Sequence, residues 1–382
     1  MIPRCIAVTL VVLFGAFPVP VHSQGPEEPG AAPRQPDSAP EGVATSEEDD
    51  WGFVPIPVLG YSPDTGVLLG ASGFLYWQPE SNITSTDNNT ASLVLFYGTR
   101  GVFQAATNAG FNLADGAYKP ELGLSVSRAP SDFYGIGPDA ELDDEEVYTA
   151  FTMDADAVFL ARLLPGLYAG PAARWIYQDV VEIDDGGILD TEDITGEATV
   201  RSVGGGARVV WDTREPQLYP HSGQFLSFTT VGHPAALASH DGYTLFGLDF
   251  RQYLTIWDRH IFAMQGIVET TLGDAPFHYL PYIGGINELR GYPEGRYRDD
   301  VALQGQLEYR FPIWWRFGGV VFAGAGQVAP ALDEISFSDV PAAAGLGLRF
   351  TIETSQNLNL RFDFALTREN TTSFYVSFRE AF

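Results

Sequence analysis

The chain has 382 residues, of which 49 are acidic and 21 are Lys or Arg, so its formal charge at pH 7 is −28. This charge argues against a nucleic-acid partner, because a phosphate backbone is bound through Lys and Arg. The single cysteine is Cys5, so the chain beyond it can form neither a disulfide nor a cysteine metal site.

The first 23 residues have the organisation of a secretory signal peptide. Arg4 precedes an apolar run, residues 5–17, and the small residues Val21 and Ser23 follow it. We expect cleavage after Ser23 and export of the protein. The alternative, an uncleaved anchor helix, needs a longer apolar run than this one.

Residues 24–50 differ in composition from the rest of the chain. They are rich in Pro and acidic residues, with Val43 as the only large aliphatic residue. Such a segment cannot bury enough apolar surface to offset its chain entropy, so we predict a disordered acidic tether. From residue 51 to residue 382 the composition is aromatic and Gly-rich without a further linker, which predicts one domain.

Within this domain the sequence alternates with a period of two. Between residues 357 and 366, bulky apolar side chains share one face and polar side chains share the other. Similar alternation is found at 303–311 and 246–251. Runs of about ten residues with this pattern are long enough to cross a bilayer at a tilt between lipid and an aqueous lumen. Backbone amides cannot stay unpaired in lipid, so such strands must close into a barrel.

We therefore predict an all-β fold, a transmembrane antiparallel β-barrel of sixteen strands. The predicted strands are 52–60, 65–77, 90–98, 102–113, 117–128, 147–160, 165–178, 197–211, 222–232, 242–257, 259–273, 299–313, 316–329, 340–353, 357–368 and 371–382. Pro55 and Pro57 interrupt the first strand, and the connection at 78–89 is long for its side of the barrel. Most long connections share the other side, which in outer-membrane barrels is extracellular. The connection at 274–298 is one of them.

This connection contains a Gly-rich aromatic segment, Gly284–Arg298, with the sequence Leu-Arg-Gly-Tyr at its centre. Together with Gln306–Pro312 on the next strand, it resembles the Arg-Gly-Tyr/Phe loop of the BamA/TamA-type superfamily of outer-membrane barrels, also called the bacterial surface antigen family. The resemblance implies a long loop folded into the lumen of its own barrel. It also implies that Arg290, Gly291 and Tyr292 anchor this loop.

In the family, the loop arginine pairs with a carboxylate of the inner wall, often in a Phe-x-Asp-x-Gly motif. The equivalent segment here, residues 322–326, has Gly324 in place of the Asp. An unpaired guanidinium away from water is costly, so Arg290 needs another partner. Glu308, which points inward by its parity on the following strand, is the first candidate, and Asp363 is the second. The alternative is a solvated loop arginine.

Other segments resemble the same family in the same order along the chain. Asp212 and Arg214 match its Asp-Thr-Arg turn, and residues 61–66 and 133–137 match segments of its barrel-only members. The last strand resembles the signal by which outer-membrane barrels are recognised for insertion. Its apolar face is expected to consist of Phe374, Val376, Phe378 and Phe382. The resemblance thus implies insertion by the barrel-assembly machinery, although Glu380 departs from the apolar pattern.

The family's periplasmic N-terminal repeats have no counterpart here, because residues 24–50 are too few for even one. We therefore expect an integral outer-membrane protein, in contact with outer-membrane lipid, with a structural, pore or membrane-assembly accessory role and no identifiable client. No catalytic motif, metal signature or cofactor loop is found. The alternatives are a surface hydrolase that uses the 233–241 loop, where His233, Ser239, His240 and Asp241 lie together, and a secreted β-sandwich.

Overall fold

The computed structural model describes residues 51–62, 66–77, 89–216, 219–238, 241–353 and 358–382. The predicted signal peptide and tether lie outside these residues. The strands are β1 (Trp51–Ser62), β2 (Gly66–Trp77), β3 (Asn89–Gly98), β4 (Phe103–Gly110), β5 (Tyr118–Phe133), β6 (Glu146–Leu164), β7 (Leu167–Glu182), β8 (Val200–Asp212), β9 (Gly223–His233), β10 (Tyr243–Trp257), β11 (His260–Gly273), β12 (Tyr282–Ile283), β13 (Tyr297–Arg298), β14 (Val301–Trp314), β15 (Phe317–Ala329), β16 (Ala342–Glu353), β17 (Leu358–Thr367) and β18 (Thr372–Phe378).

Sixteen of these strands form one antiparallel sheet in chain order, with β11 paired to β14 across the connection that contains β12 and β13. The sheet therefore has the sixteen strands predicted from the sequence. The other two, β12 and β13, form a separate hairpin within the connection from β11 to β14. In the described part of the chain, no hydrogen-bonded ladder joins β18 to β1.

The structure corrects the bounds of two predicted strands and contains the interrupted first strand. The strands expected at 117–128 and 147–160 extend further, because β5 and β6 remain paired up to Phe133 and Glu146. The interrupted first strand is present as β1, which pairs with β2 along its length. Its two prolines are two positions apart, so both lack a backbone N–H on the same edge of the strand. β1 pairs with β2 only, and a strand with one neighbour tolerates missing N–H donors on its free edge.

The two faces of the strands differ as the alternation predicts. On β14, Leu307 is exposed whereas Glu308 is buried, and on β17, Phe364 is exposed whereas Asp363 is buried. The connection at residues 274–300 contacts β5 and β6 near its start and β18 further along. Since these strands are far apart in the sheet, the connection must cross a space that the sheet encloses. The polar face therefore lines a lumen. The fold is thus an antiparallel barrel with apolar residues outside.

The connections at the two ends of the barrel differ in length. Two residues connect β6 to β7, β10 to β11 and β14 to β15, and Gly166, Arg259 and Trp315 in these turns have positive φ. Trp314 and Trp315 are exposed there, at the level where membrane barrels carry aromatic girdles. We call this the short-turn end. The long connections, including 183–199 and 274–300, share the opposite end.

Short helices occur in the connections of the described chain. They are α1 (Ile188–Thr191) and four single-turn 3-10 helices at Leu142–Asp144, Ala235–Leu237, Phe277–Tyr279 and Leu332–Glu334. Across the described residues, no helix has both the length and the apolar character needed to cross a membrane.

Candidate functional site

The connection between β11 and β14 turns back over the lumen, and we call it the lumen loop. Its first part is fixed by Phe277, whose ring lies 4.9 Å from that of Phe133 and 5.3 Å from that of Tyr148. The β12–β13 hairpin then carries residues 284–296 inward. Gly284, with φ +107°, occupies a left-handed conformation that side chains other than glycine rarely adopt.

Gly291 lies at the closest approach of the lumen loop to the wall. A Cβ atom at this position would lie 2.9 Å from Cγ2 of Thr367 and 3.2 Å from Cβ of Ala343, and φ is +118°. Its N–H donates to the Tyr375 hydroxyl at 3.0 Å, and its carbonyl accepts from the Ser373 hydroxyl at 3.0 Å. Only glycine permits this contact between the loop backbone and β16, β17 and β18.

Arg290 is fully buried among polar groups of the wall. Its Nη1 donates to Oδ2 of Asp363 at 2.8 Å, and its Nη2 lies 2.6 Å from Oε1 of Glu308. Nη2 also donates to the side-chain oxygen of Gln306 at 3.1 Å. The guanidinium carbon lies 3.6 Å from the ring centre of Phe322. The structure thus brings both carboxylates named from the sequence against Arg290, which is not a solvated loop arginine.

Three more arginines join these carboxylates in one buried cluster. Their ion pairs are Arg310 Nε to Glu308 at 2.8 Å, Arg349 Nη1 to Asp363 at 2.5 Å, Arg349 Nε to Glu380 at 2.7 Å, and Arg361 Nε to Asp363 at 3.3 Å. Arg361 also donates to the backbone oxygen of Ile286 in the lumen loop at 2.9 Å. Arg290 supplies one of the two ion pairs of Glu308 and one of the three of Asp363, so release of the loop would leave both buried carboxylates with fewer partners.

Gly324 explains why the carboxylates come from other strands. A Cβ atom on Gly324 would lie 3.1 Å from Cδ1 of Leu289, so the lumen loop occupies the space that a side chain would need. The loop packs directly on β15, and Phe322 of that strand offers a ring instead of a charge. Sequence reasoning missed Phe322 and Gln306, although their parity on β15 and β14 marks both as inward.

Tyr292 follows Arg290 into an apolar cluster beneath the loop. Its ring is buried with Ile283, Leu289 and Val328, and its hydroxyl lies 3.5 Å from the backbone oxygen of Ala342. Burial raises the pKa of the Tyr292 hydroxyl above its ordinary value. The anchor thus combines ion pairs at Arg290, close approach at Gly291 and apolar packing at Tyr292.

Asp212 and Arg214 lie at the short-turn end, away from the lumen loop. Arg214 binds Asp212 through two contacts, Nε to Oδ1 at 2.9 Å and Nη2 to Oδ2 at 2.8 Å. The guanidinium also lies 4.4 Å from the ring centre of Phe225. This bidentate pair orders the start of the connection between β8 and β9.

The C-terminal residues follow the expected face only in part. Phe374 and Val376 are partly buried on β18, and the side chain of Phe378 lies outside the described residues. The placement of Phe382 on the same outer face was wrong. The strand ends at Phe378, Arg379 has φ +68°, and Phe382 is buried.

The physical reason for this inward turn is Glu380. Its carboxylate accepts from Nε of Arg349 at 2.7 Å and from Nδ2 of Asn359 at 2.9 Å, both on the polar inner face. Phe382 then packs against Tyr253 and Ala263 inside the barrel. Whether β18 is an insertion signal remains a prediction from the resemblance.

The loop considered for hydrolysis is described only in part, because Ser239 and His240 lie outside the described residues. His233 is buried, with its Nδ1 2.7 Å from the Ser202 hydroxyl and its ring stacked 4.6 Å from that of Tyr243. Asp241 is exposed. The structure thus places His233 inside the wall, away from the solvent in which a surface substrate would arrive.

A cavity of about 630 Å³ occupies the lumen on the side opposite the arginine cluster. Inward side chains of β5 to β11 form its wall, and residues 278–282 and Glu294 of the lumen loop form its roof. Lys119, Tyr168 and Asp212 lie at its other end, next to the short turns. We call this cavity the chamber.

Comparison with known proteins gives one family and several similar folds. The model of the Omp85 superfamily domain matches residues 173–381. BamA from Haemophilus ducreyi lacking POTRA domains 1-3 is similar with a TM-score of 0.57 and 12% identity, over 87% of this chain and 70% of that one. CdiB from Acinetobacter baumannii is similar with a TM-score of 0.51 and 10% identity, over 85% and 58%. No curated protein matches the chain.

Proposed function

The chain belongs to the Omp85 superfamily as an outer-membrane barrel, and from that premise we propose a structural or membrane-assembly accessory role in which the lumen loop keeps the barrel closed. The barrel conducts ions only when this loop is released. Outer-membrane lipid is its surrounding solvent, and the barrel-assembly machinery is the expected route of insertion.

The observation that carries this proposal is the burial of Arg290 between Asp363 and Glu308. Removing one partner of a buried ion pair costs about 3–5 kcal/mol, because the other charge is left without compensation. A loop held by such a pair stays docked in nearly all molecules at equilibrium. The apolar contacts of Phe277 with Phe133 and Tyr148 support closure at the outer end.

We further propose that the barrel acts without catalysis. Chemistry of the serine hydrolase type needs an accessible nucleophile, a base and an orienting group within hydrogen-bond reach of one another. The buried position of His233 does not favour a surface hydrolase that uses the 233–241 loop. The family membership favours a role of the membrane domain itself.

Single-channel conductance in planar bilayers tests the proposed closure. We expect low conductance for the wild-type barrel, because the lumen loop and its apolar contacts fill the outer part of the lumen. Deletion of residues 284–298 should give large, stable channels. Arg290→Ala should give intermediate behaviour with frequent openings, because the hairpin remains but its buried ion pairs are lost.

Asp333→Asn is a matched control, because Asp333 is an exposed loop residue at the same end of the barrel. This variant should conduct like the wild type. If the wild-type barrel conducts as strongly as the deletion variant, the loop does not close the lumen and the proposal is wrong. Hydrolysis of lipid or peptide by the purified barrel, lost in His240→Ala, would instead support the enzymatic alternative.

A further inference from the structure

We propose that the chamber binds an organic cation that carries a primary ammonium group and enters from the short-turn end. The chamber volume of about 630 Å³ lies in the usual range for small-molecule sites. The proposal rests on the proposed function in one respect, since the docked lumen loop forms the roof of the chamber.

The basic side chains of the chamber already have partners. Arg174 pairs with Asp154 at 2.7 Å, Arg208 with Glu121 at 3.0 Å, and Arg251 with Asp249 at 2.5 Å. Lys119 lies 4.6 Å from the ring centre of Tyr168. These groups therefore offer little free positive charge to an incoming anion.

Glu269 differs from these residues. It faces the chamber from β11, and among the described residues no side chain forms a hydrogen bond or an ion pair with it. Two loop carboxylates lie nearby with neutral partners only: Glu294 accepts from the Tyr282 hydroxyl at 2.8 Å, and Glu288 accepts from the Gln304 amide at 2.5 Å. Glu269 on the wall and Glu294 on the roof thus face the chamber, and Glu288 lies near them in the loop without lining the chamber. Among the described residues none of these three carboxylates forms an ion pair, and Arg174, the basic residue that acts on Glu269, is already paired with Asp154.

The titration of the loop supports this reading. Burial, followed by the charge of Glu269, raises the pKa of the Glu288 carboxyl to about 8. A carboxyl with its pKa raised in this way loses its proton more readily when a cation binds beside it, because an opposite charge favours the ionised form. Binding of the cation should therefore strengthen as the pH rises towards 8 and above.

The shape and chemistry of the chamber favour an organic cation over a metal ion. Within the described residues, no three acidic, His or Cys side chains lie close enough together to hold a metal ion. Four aromatic rings also line the chamber, Tyr168 and Phe225 on the wall and Tyr279 and Tyr282 on the roof. Cationic side chains of the protein already lie over the first three rings, so among the described residues Tyr282 is the ring left for a ligand. Ammonium groups bind carboxylates through charge and aromatic faces through cation–π contacts, and the methylene groups of the ligand fill the apolar surface.

Calorimetry on the purified full-length barrel in detergent, with 1,4-diaminobutane as the probe, tests the proposal. We expect saturable binding to the wild type at pH 8.5 and about tenfold weaker binding to Glu269→Gln, the loss of roughly one charged contact. Glu288→Gln is a second variant, outside the sheet, and should also weaken binding. Affinity for the wild type should fall between pH 8.5 and pH 6, while the probe stays fully charged.

A chain with a formal charge of −28 attracts any polycation, so the controls decide the interpretation. Glu334→Gln removes one exposed charge from an outer loop and should bind the probe like the wild type. Uncharged 1,4-butanediol should not bind. Equal affinity in Glu269→Gln, Glu288→Gln and Glu334→Gln would overturn the chamber as the site, and so would displacement of the probe by Mg²⁺ at equal concentration.

The two proposals fail in different ways. Low wild-type conductance together with equal probe binding in all variants overturns the cation site and leaves the closed barrel intact. High wild-type conductance overturns the closed barrel. In that case, binding that is sensitive to Glu269→Gln but unchanged by deletion of residues 284–298 would show a site on the wall alone, and the loop roof proposed here would be wrong.

Discussion

The two halves of the lumen wall differ in how deeply their charged side chains are buried. On the side of β14 to β18, three arginines and three carboxylates are buried in one cluster with Arg290 of the loop. On β5 to β11, ion pairs such as Arg174–Asp154 stay partly exposed at the edge of the chamber. The ion pairs of the described residues therefore hold the loop from one side only, whereas the contacts of Phe277 with β5 and β6 are apolar. Charged anchoring of the loop thus depends on a small part of the wall.

The largest expected difference in stability comes from replacing one arginine in each half of the wall. Arg290→Ala should lower the free energy of unfolding by about 3–5 kcal/mol, because Asp363 and Glu308 lose a buried partner. Arg174→Ala should cost about 1 kcal/mol or less, since water can replace the lost partner. The urea concentration at which the barrel loses its heat-modifiable migration on gels measures both losses of stability. Equal losses would show that the two halves contribute alike.

The second test asks whether Arg290 and Glu308 act as one unit. Glu308→Gln in an Arg290→Ala background should cost less than it does in the wild type, with a coupling of about 1–3 kcal/mol. Asp154→Asn in the same background should be additive, since Asp154 pairs with Arg174 on the other half. The same urea midpoints give the coupling, and an additive result for Arg290 with Glu308 would exclude direct coupling between them.

The third and smallest effect concerns the protonation of Glu288 in the lumen loop. The pKa of Glu288 is raised to about 8 from its ordinary value of 4.5, so between these values the folded state holds a proton that the unfolded state has lost. Stability should therefore fall as the pH rises from about 5 to 8. Glu288→Gln should flatten this decline. We expect less than the loss from Arg290→Ala, because Glu288 can keep its proton and so avoids a buried charge without a partner.

A stability profile of Glu288→Gln that declines as steeply as that of the wild type would assign the pH dependence to other groups. Asp299 then becomes the first one to test, because burial also raises the pKa of its carboxyl. Asp299→Asn measured over the same pH range separates the two residues.

Much of the fold was predictable because strand alternation is a local property. The inward parity of Glu308 follows from its neighbours Leu307 and Tyr309, and the resemblance of the loop identified Arg290 as the group in need of a partner. The sequence ranks Glu308 first and Asp363 second as alternative partners, and the structure uses both. The parity of a residue on its strand predicts which face of the sheet its side chain lies on, but not how far that side chain is from a partner across the lumen.

Other features depend on packing that no local pattern encodes. The inward turn of Glu380 is set by Arg349, which lies 31 positions earlier in the chain. The ring of Phe322 under Arg290 required knowledge of where the loop lies above β15. The chamber is likewise a property of the assembled wall, since seven strands and the loop line it.

The two hydrogen bonds that hold the backbone of Gly291 also constrain the order in which the barrel folds. Its two hydrogen-bonding partners, Ser373 and Tyr375, follow it by 82 and 84 positions and belong to β18, the last of the described strands. Contacts between such distant positions form late, because the intervening chain must first be ordered. The loop can therefore lock only after β18 is in place, so a locked loop indicates that β18 has already paired with β17.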